Sequence, residues 1–204
     1  AGADGVMLVT PYYNKPPQEG LYRHFRTVAE ATRLPVMLYN VPGRTGCNLA
    51  PETVARLATT VENVVAIKEA SGSLDQVSQI RAQTPPEFVI YSGDDSLTLP
   101  ILAVGGSGVV SVAAHVVGDL LMAMVRAYRH GDVLEARRLH LEMFPLFKAL
   151  FVTTNPIPVK AALRLAGFDV GGYRLPLVPP TPAEEEAVRR ALHGLGRLRA
   201  AATV

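Results

Sequence analysis

Lys68 closes an apolar run, "VVAIK" (Val64 to Lys68), and is followed at once by Glu69, Ala70, Ser71 and Gly72. An ammonium group carried to the end of a buried strand loses hydration. That loss disfavours its charged form and lowers its pKa toward the range in which a neutral amine attacks a carbonyl carbon. The competing reading pairs Lys68 with Glu69 or another carboxylate, but consecutive strand residues point to opposite faces, which places Glu69 poorly for the purpose. One unit earlier, Tyr39 ends "PVMLY" as Lys68 ends "VVAIK". Neighbouring parallel strands would bring this phenol and amine into one mouth, where a tyrosine can relay protons to and from a carbinolamine. Taken alone, a strand-end tyrosine is more simply an aromatic whose hydroxyl meets water.

Arg44 follows five residues after Tyr39, in a loop shaped by Pro42, Gly43 and Gly46. A guanidinium there can clamp a carboxylate through two parallel hydrogen bonds, or it can be an ordinary surface arginine. Tyr12 and Tyr13 sit in the proline-flanked "TPYYNKPP"; exposed paired aromatics read first as contact surface and second as part of a shared site. "SGDDS" (Ser92 to Ser96) can offer backbone N–H groups to an anion where a helix starts, with Asp94 or Asp95 as the cap. "GGSG" (Gly105 to Gly108) lacks both the Rossmann and the P-loop spacing and reads as a tight turn. The five histidines, His24, His115, His130, His140 and His193, lie in separate segments, and Cys47 is the only cysteine. No metal site is expected from that distribution.

The elements that must position these groups alternate. Short, nearly continuous apolar runs, Val6 to Val9, Pro35 to Tyr39, Asn63 to Lys68, Phe88 to Ser92 and Gly108 to Val112, read as parallel strands covered on both faces. Between them, helical spacing covers Leu21 to Thr32, Pro51 to Thr60, Leu74 to Gln83, Leu97 to Val104 and Asp119 to His130. Starts are marked by Pro51 with Glu52 in the first turn and by Ser73 before Leu74 and Asp75. Five such units argue for a doubly wound sheet or a (β/α)₈ barrel, and both bind ligands at the C-terminal ends of the strands. Beyond Gly131 the strand signal stops. Asp132 to Ala149, Pro156 to Gly167 and Pro182 to Leu198 read as helices of a C-terminal appendage.

With 49% hydrophobic and 19% charged residues among 204, the chain can bury a sizeable core. A formal charge of +2, with scattered basic residues, argues against nucleic acid or anionic membrane as a partner. The single cysteine fits a reducing compartment, and no apolar run reaches the roughly 18 residues needed to span a bilayer. A cytoplasmic location is the expectation.

Together, "TPYYNKPPQEGLYRHF", "YNVPGRTG", "IKEASG", "SGDDS" and "GVVSV" resemble the lysine-dependent pyruvate aldolase superfamily, and within it the dihydrodipicolinate synthase family. The resemblance implies a (β/α)₈ barrel with a C-terminal helical region, and a class I aldolase-type lyase without an organic cofactor. Lys68 would match the lysine that forms a Schiff base with pyruvate, the enamine then attacking aspartate semialdehyde. Tyr39 would match the proton relay, Tyr13 a tyrosine donated across a dimer interface, and Arg44 the carboxylate-binding arginine. Gly93 and Val110 would line the pyruvate pocket mainly through backbone, and Tyr12 would belong to a lysine-feedback site. The partners implied are pyruvate, aspartate semialdehyde and further copies of the chain in a dimer or tetramer. Arg44 separates this family from the N-acetylneuraminate lyase and keto-deoxy-sugar aldolase types, which remain alternatives beside a non-catalytic carboxylate-binding barrel fragment. The resemblance also places three strand–helix units before the point where this chain begins. Residues 1–130 then read as the last five units of the barrel and 131–204 as the helical region of a longer polypeptide.

Overall fold

Along the strands, alternate residues separate into two sets, and helices bury only one of them. The computed structural model describes residues 2–198. Its chain divides into two compact units, one running to Val110 and the other beginning at Ser111.

In the first unit β1 (Val6–Val9), β2 (Val36–Asn40), β3 (Val64–Glu69), β4 (Val89–Ser92) and β5 (Gly108–Val109) form a parallel sheet in consecutive order. The crossovers are α1 (Gln18–Glu30), α3 (Pro51–Thr60), α4 (Leu74–Gln83) and α5 (Thr98–Ala103), with α2 (Pro42–Thr45) a single turn after β2. Leu38, Ile67 and Ile90 are fully buried against Leu21 and Phe25 of α1, Leu57 of α3 and Ile80 of α4 in one core. Consecutive order with the helices on one face is the winding of a (β/α)₈ barrel wall; a doubly wound sheet would reverse its order and put helices on both faces.

The expectation that both strand faces are covered is therefore corrected. Met7, Val9 and Val65, on the face without helices, are 47%, 39% and 41% exposed. These strands are apolar on both sides because a barrel fills its interior with layers of strand side chains rather than with helices. An apolar groove of about 370 Å³, lined by Met7, Met37, Val65, Ala66 and Val110, runs along this face.

The β2–β3 register contains a shift that decides the site. Val36 pairs with Val64, but Met37 pairs with Ala66, leaving Val65 as an extra residue on β3. Such a bulge advances every later pairing by one. As a result Tyr39 lies opposite Lys68 and Asn40 opposite Glu69; without it Tyr39 would face Ile67.

Local signals set several helix starts. Pro51 opens α3 with Glu52 in its first turn, and Ser73 accepts from the Gln76 N–H at 3.2 Å to cap α4. Other boundaries differ from the sequence reading. α1 begins three residues early, at Gln18, whose side chain bonds the Asn48 carbonyl at 2.8 Å. β5 ends at Val109, although the Val110 N–H still donates to the Ser92 carbonyl. The loop after Tyr39 contains α2, ended by Gly46 at φ 74°, a left-handed conformation that glycine adopts without Cβ strain.

The second unit holds α6 (Ala114–Arg129), α7 (Val133–Ala149), α8 (Ile157–Leu165) and α9 (Pro182–Gly194). α6 begins five residues before the expected Asp119: Ser111 Oγ accepts from the Ala114 N–H at 2.8 Å, and non-helical angles at Val117 kink the helix before Gly118. α7 packs against α6 and α9 around Leu121, Met124, Leu139, Met143, Leu146, Val188 and Leu192. Among the described residues no helix is long and apolar enough to cross a membrane, and no three His, Cys, Asp or Glu side chains cluster as a metal site.

Candidate active site

One rung of the sheet, near the C-terminal ends of the strands, carries Val9, Tyr39, Lys68, Tyr91 and Gly108 in register. Because side chains alternate, those of Val9, Tyr39, Lys68 and Tyr91 point to the face without helices. There the Lys68 ammonium lies over the Tyr39 ring, 4.1 Å from its centroid. The contact is with the ring face, a cation–π geometry that favours the charged amine. Burial works the other way and dominates: it holds the Lys68 pKa below the ordinary lysine value, with the Asp95 carboxylate opposing the shift and the Arg44 cation reinforcing it. Burial also raises the Tyr39 phenol, and Arg44 pulls it back down. The rung thus holds an amine biased toward its neutral, nucleophilic form beside a phenol biased toward keeping its proton.

Glu69, adjacent in sequence, faces the other way. It is 1% exposed, and its carboxylate accepts from Asn40 Nδ2 at 3.0 Å, Gln76 Nε2 at 3.0 Å and the Ser71 N–H at 2.6 Å. The pairing of Lys68 with Glu69 is excluded by that geometry.

Gly93 closes the chain down on Lys68. A Cβ built on it would lie 2.6 Å from Ala70 Cβ and 3.2 Å from Lys68 Cε, and its N–H donates to the Glu69 carbonyl at 2.7 Å. Only a hydrogen atom is accommodated there. Of the two neighbouring aspartates, Asp94 is the cap, accepting from the Ser96 N–H at 2.8 Å. Asp95 is buried and is the acid whose charge reaches Lys68.

Arg44 is exposed on α2, and its field reaches both Tyr39 and Lys68. Val110 borders the apolar groove beside Met37 and Ala66, two residues before Tyr39 and Lys68 on their strands. Tyr12 and Tyr13 are 69% and 88% exposed, outside the Lys68–Tyr39 cluster, with Tyr13 at φ 69°. A larger cavity of about 660 Å³, lined by Glu30, Arg33, Thr60 and Asn63, lies at the opposite, N-terminal end of the strands. Parallel α/β folds place their chemistry at the C-terminal strand ends, so the rung outweighs this cavity.

Reasoning from residue type and spacing singled out Lys68, Tyr39 and Arg44, and the family resemblance added Gly93. It missed Asp95 as an inward-facing acid and the hydrogen-bonded cluster around Glu69. The doublet "DD" and the strict alternation of "KE" were the available signals.

The model of the dihydrodipicolinate synthetase family matches residues 1–195. A 4-hydroxy-tetrahydrodipicolinate synthase of a Cyanothece species is 65% identical over 198 residues, 97% of this chain and 67% of the relative. The crystal structure of the enzyme from Cyanidioschyzon merolae with lysine bound superposes with a TM-score of 0.95 at 52% identity, over 97% of this chain and 67% of that one. The chloride-inhibited enzyme from Acinetobacter baumannii complexed with pyruvate gives 0.91 at 40% identity, over 97% and 67%. The chain spans about two thirds of the length of the curated relatives it matches. Matched by the family model over nearly its whole length and similar to these proteins in sequence and fold, the chain belongs to the dihydrodipicolinate synthetase family.

Proposed function

We propose that this chain carries the Schiff-base chemistry of a 4-hydroxy-tetrahydrodipicolinate synthase, a lyase that condenses pyruvate with aspartate semialdehyde. The observation that carries the reading is the half-buried Lys68 amine, its pKa held down by burial, over the ring of Tyr39. Neutral Lys68 attacks the C2 carbonyl of pyruvate to give a carbinolamine. Loss of water, with Tyr39 moving the protons, leaves an iminium. The iminium withdraws electrons, a methyl proton passes to the Tyr39 relay, and the enamine carbon bonds the aldehyde carbon of the second substrate, whose oxygen takes up a proton from that relay.

In this reading Gly93 and Val110 face pyruvate through their backbone, and Arg44 receives the carboxylate of the incoming aldehyde by a bidentate contact. Exposed Tyr13 completes the relay of a neighbouring copy in a homo-oligomer, and Tyr12 belongs to a lysine-responsive surface. No organic cofactor is called for, and the location is cytoplasmic. Residues 1–130 supply barrel units and 131–204 the helical region. Support comes from the names of the relatives and from the bound pyruvate of the Acinetobacter baumannii structure.

The test is reductive trapping: pyruvate and borohydride are added, and the adduct is mapped by mass spectrometry. A stable adduct on Lys68 is expected, lost in Lys68→Ala. An adduct elsewhere, or none, overturns the assignment.

A further inference from the structure

Behind the rung that holds Tyr39 and Lys68, on the helix-covered face of the sheet, lies a carboxylate that the reaction does not use. Glu69 is 1% exposed and Asn40, opposite it in register, is fully buried. A carboxylate removed from water must be compensated by donors. Here those donors come from three separate places: Asn40 at the end of β2, the Ser71 N–H in the turn after β3, and Gln76 in the first turn of α4. Among the described residues no lysine or arginine forms an ion pair with it.

The donors are themselves fixed. Asn40 Nδ2 also donates to Asn48 Oδ1 at 2.8 Å, and Asn40 Oδ1 accepts from the Leu49 N–H at 3.0 Å. Asn48 Nδ2 in turn donates to Gln76 Oε1 at 2.7 Å. The cluster therefore ties the ends of β2 and β3 to the loop between them and to α4. It forms in one register only, because a slip of one residue would set Asn40 against Lys68 and turn every later side chain of β3 to the wrong face. The Val65 bulge leaves this register without local support, and the Asn40–Glu69 bond directly follows the Tyr39–Lys68 pair.

We infer that Glu69 is a positioning residue: held by Asn40, Gln76 and the Ser71 N–H, it locks the β2–β3 register that sets the Lys68 amine over Tyr39. The inference rests on the Schiff-base reading above. It concerns the geometry of the amine and does not depend on which aldehyde follows.

The test is the rate constant of pyruvate adduct formation on Lys68, measured per folded molecule by borohydride trapping as a function of pyruvate and pH. Glu69→Gln keeps the shape but turns an NH₂ toward groups that are all donors. Since small displacements of reacting groups are costly, the rate constant at saturating pyruvate is expected to fall about tenfold or more, with the half-saturating concentration within about twofold and the pH midpoint moved. Combining Glu69→Gln with Asn40→Asp exchanges donor and acceptor across the same rung, and with the Asn48 and Gln76 amides turned over to match it is expected to restore the rate constant. Should Glu69→Gln fail to fold, Gln76→Leu on the half-buried face of α4 removes one of the three donors to Glu69 together with the acceptor of Asn48 Nδ2, and a smaller fall in the rate constant is expected.

A Glu69→Gln chain that loses only melting temperature or folded fraction, with its rate constant and pH midpoint unchanged, overturns the inference, as does an exchanged pair without recovery. Gln76→Leu at the unsubstituted rate does so where Glu69→Gln does not fold. An unsubstituted chain that forms no adduct on Lys68 instead overturns the Schiff-base reading, and the inference with it.

Discussion

Replacing Gly93 by alanine adds one carbon at a point where three segments already meet. That carbon would lie 2.6 Å from Ala70 Cβ, 3.2 Å from Lys68 Cε and 3.3 Å from the Glu69 carbonyl oxygen. Carbon atoms rest at about 3.5–4.0 Å, so the Ala70 contact alone demands about 1 Å of displacement. Ala70 has no rotamer to absorb it, and the 2.7 Å bond from the Gly93 N–H to the Glu69 carbonyl resists movement of the backbone. The remaining way out is to push β3 and the stem of Lys68. Overpacking of this kind costs about 1–3 kcal/mol. For a chain of this size that lowers the melting temperature by about 2–12 °C. On the proposed Schiff-base function, displacing the amine by a comparable distance slows pyruvate adduct formation by up to about 100-fold. Thermal melts read the first effect and timed borohydride trapping the second. Gly43→Ala is the control, because a Cβ there meets nothing within 4 Å and the residue lies in the short helix α2. It is expected to be neutral or to stabilise by about 0.5–1 kcal/mol. A Gly93→Ala chain that melts and traps pyruvate like the unsubstituted protein would refute the packing argument.

Lys68→Met tests the burial of the amine through its linkage to pH. The folded-state pKa of Lys68 lies below the ordinary value of 10.5, so between the two the unfolded chain binds more protons and stability rises with pH. The unsubstituted chain should therefore gain on Lys68→Met as pH climbs through that window toward 10.5, read from urea midpoints; a constant difference would refute the shift. Arg44→Ala removes a cation that lowers both Lys68 and Tyr39, so the pH midpoint of adduct formation should move upward. Because Arg44 is exposed, the difference from the unsubstituted chain should shrink between about 0.1 M and about 1 M salt, where the screening length falls from about 10 Å to about 3 Å. Ser73→Ala removes the side-chain cap of α4 and should cost about 1 kcal/mol, with Ser73→Gly costing less. Equal melting temperatures for all three chains would show that the cap contributes nothing.

How much of the fold and site is legible in the order of residues depends on how far apart the deciding residues stand. Pro51 and Ser73 set the starts of α3 and α4 through one ring or one hydroxyl acting within three residues, and both starts fall where expected. Strand alternation, equally local, separates Lys68 from Glu69. α2 is hidden because "PGRTG" carries turn residues, and a single helical turn closed by Gly46 uses the same ones. The start of α6 is displaced because Gly118 signals a break, whereas the helix absorbs a kink at Val117 and is started by Ser111. Asp94 and Asp95 are equivalent as caps in sequence, and only the packing of the following turn decides that Asp95 is the one turned inward. The cluster around Glu69 lies furthest from view. Its bond to Asn40 spans 29 residues and exists only because Val65 adds a residue to β3. No periodicity announces that bulge, since the pattern of "NVVAIKE" is apolar whichever way Val65 points. The Lys68 amine is legible because its own strand aims it. The register that brings the phenol opposite is a property of two strands at once, so it is read only where the chain has folded.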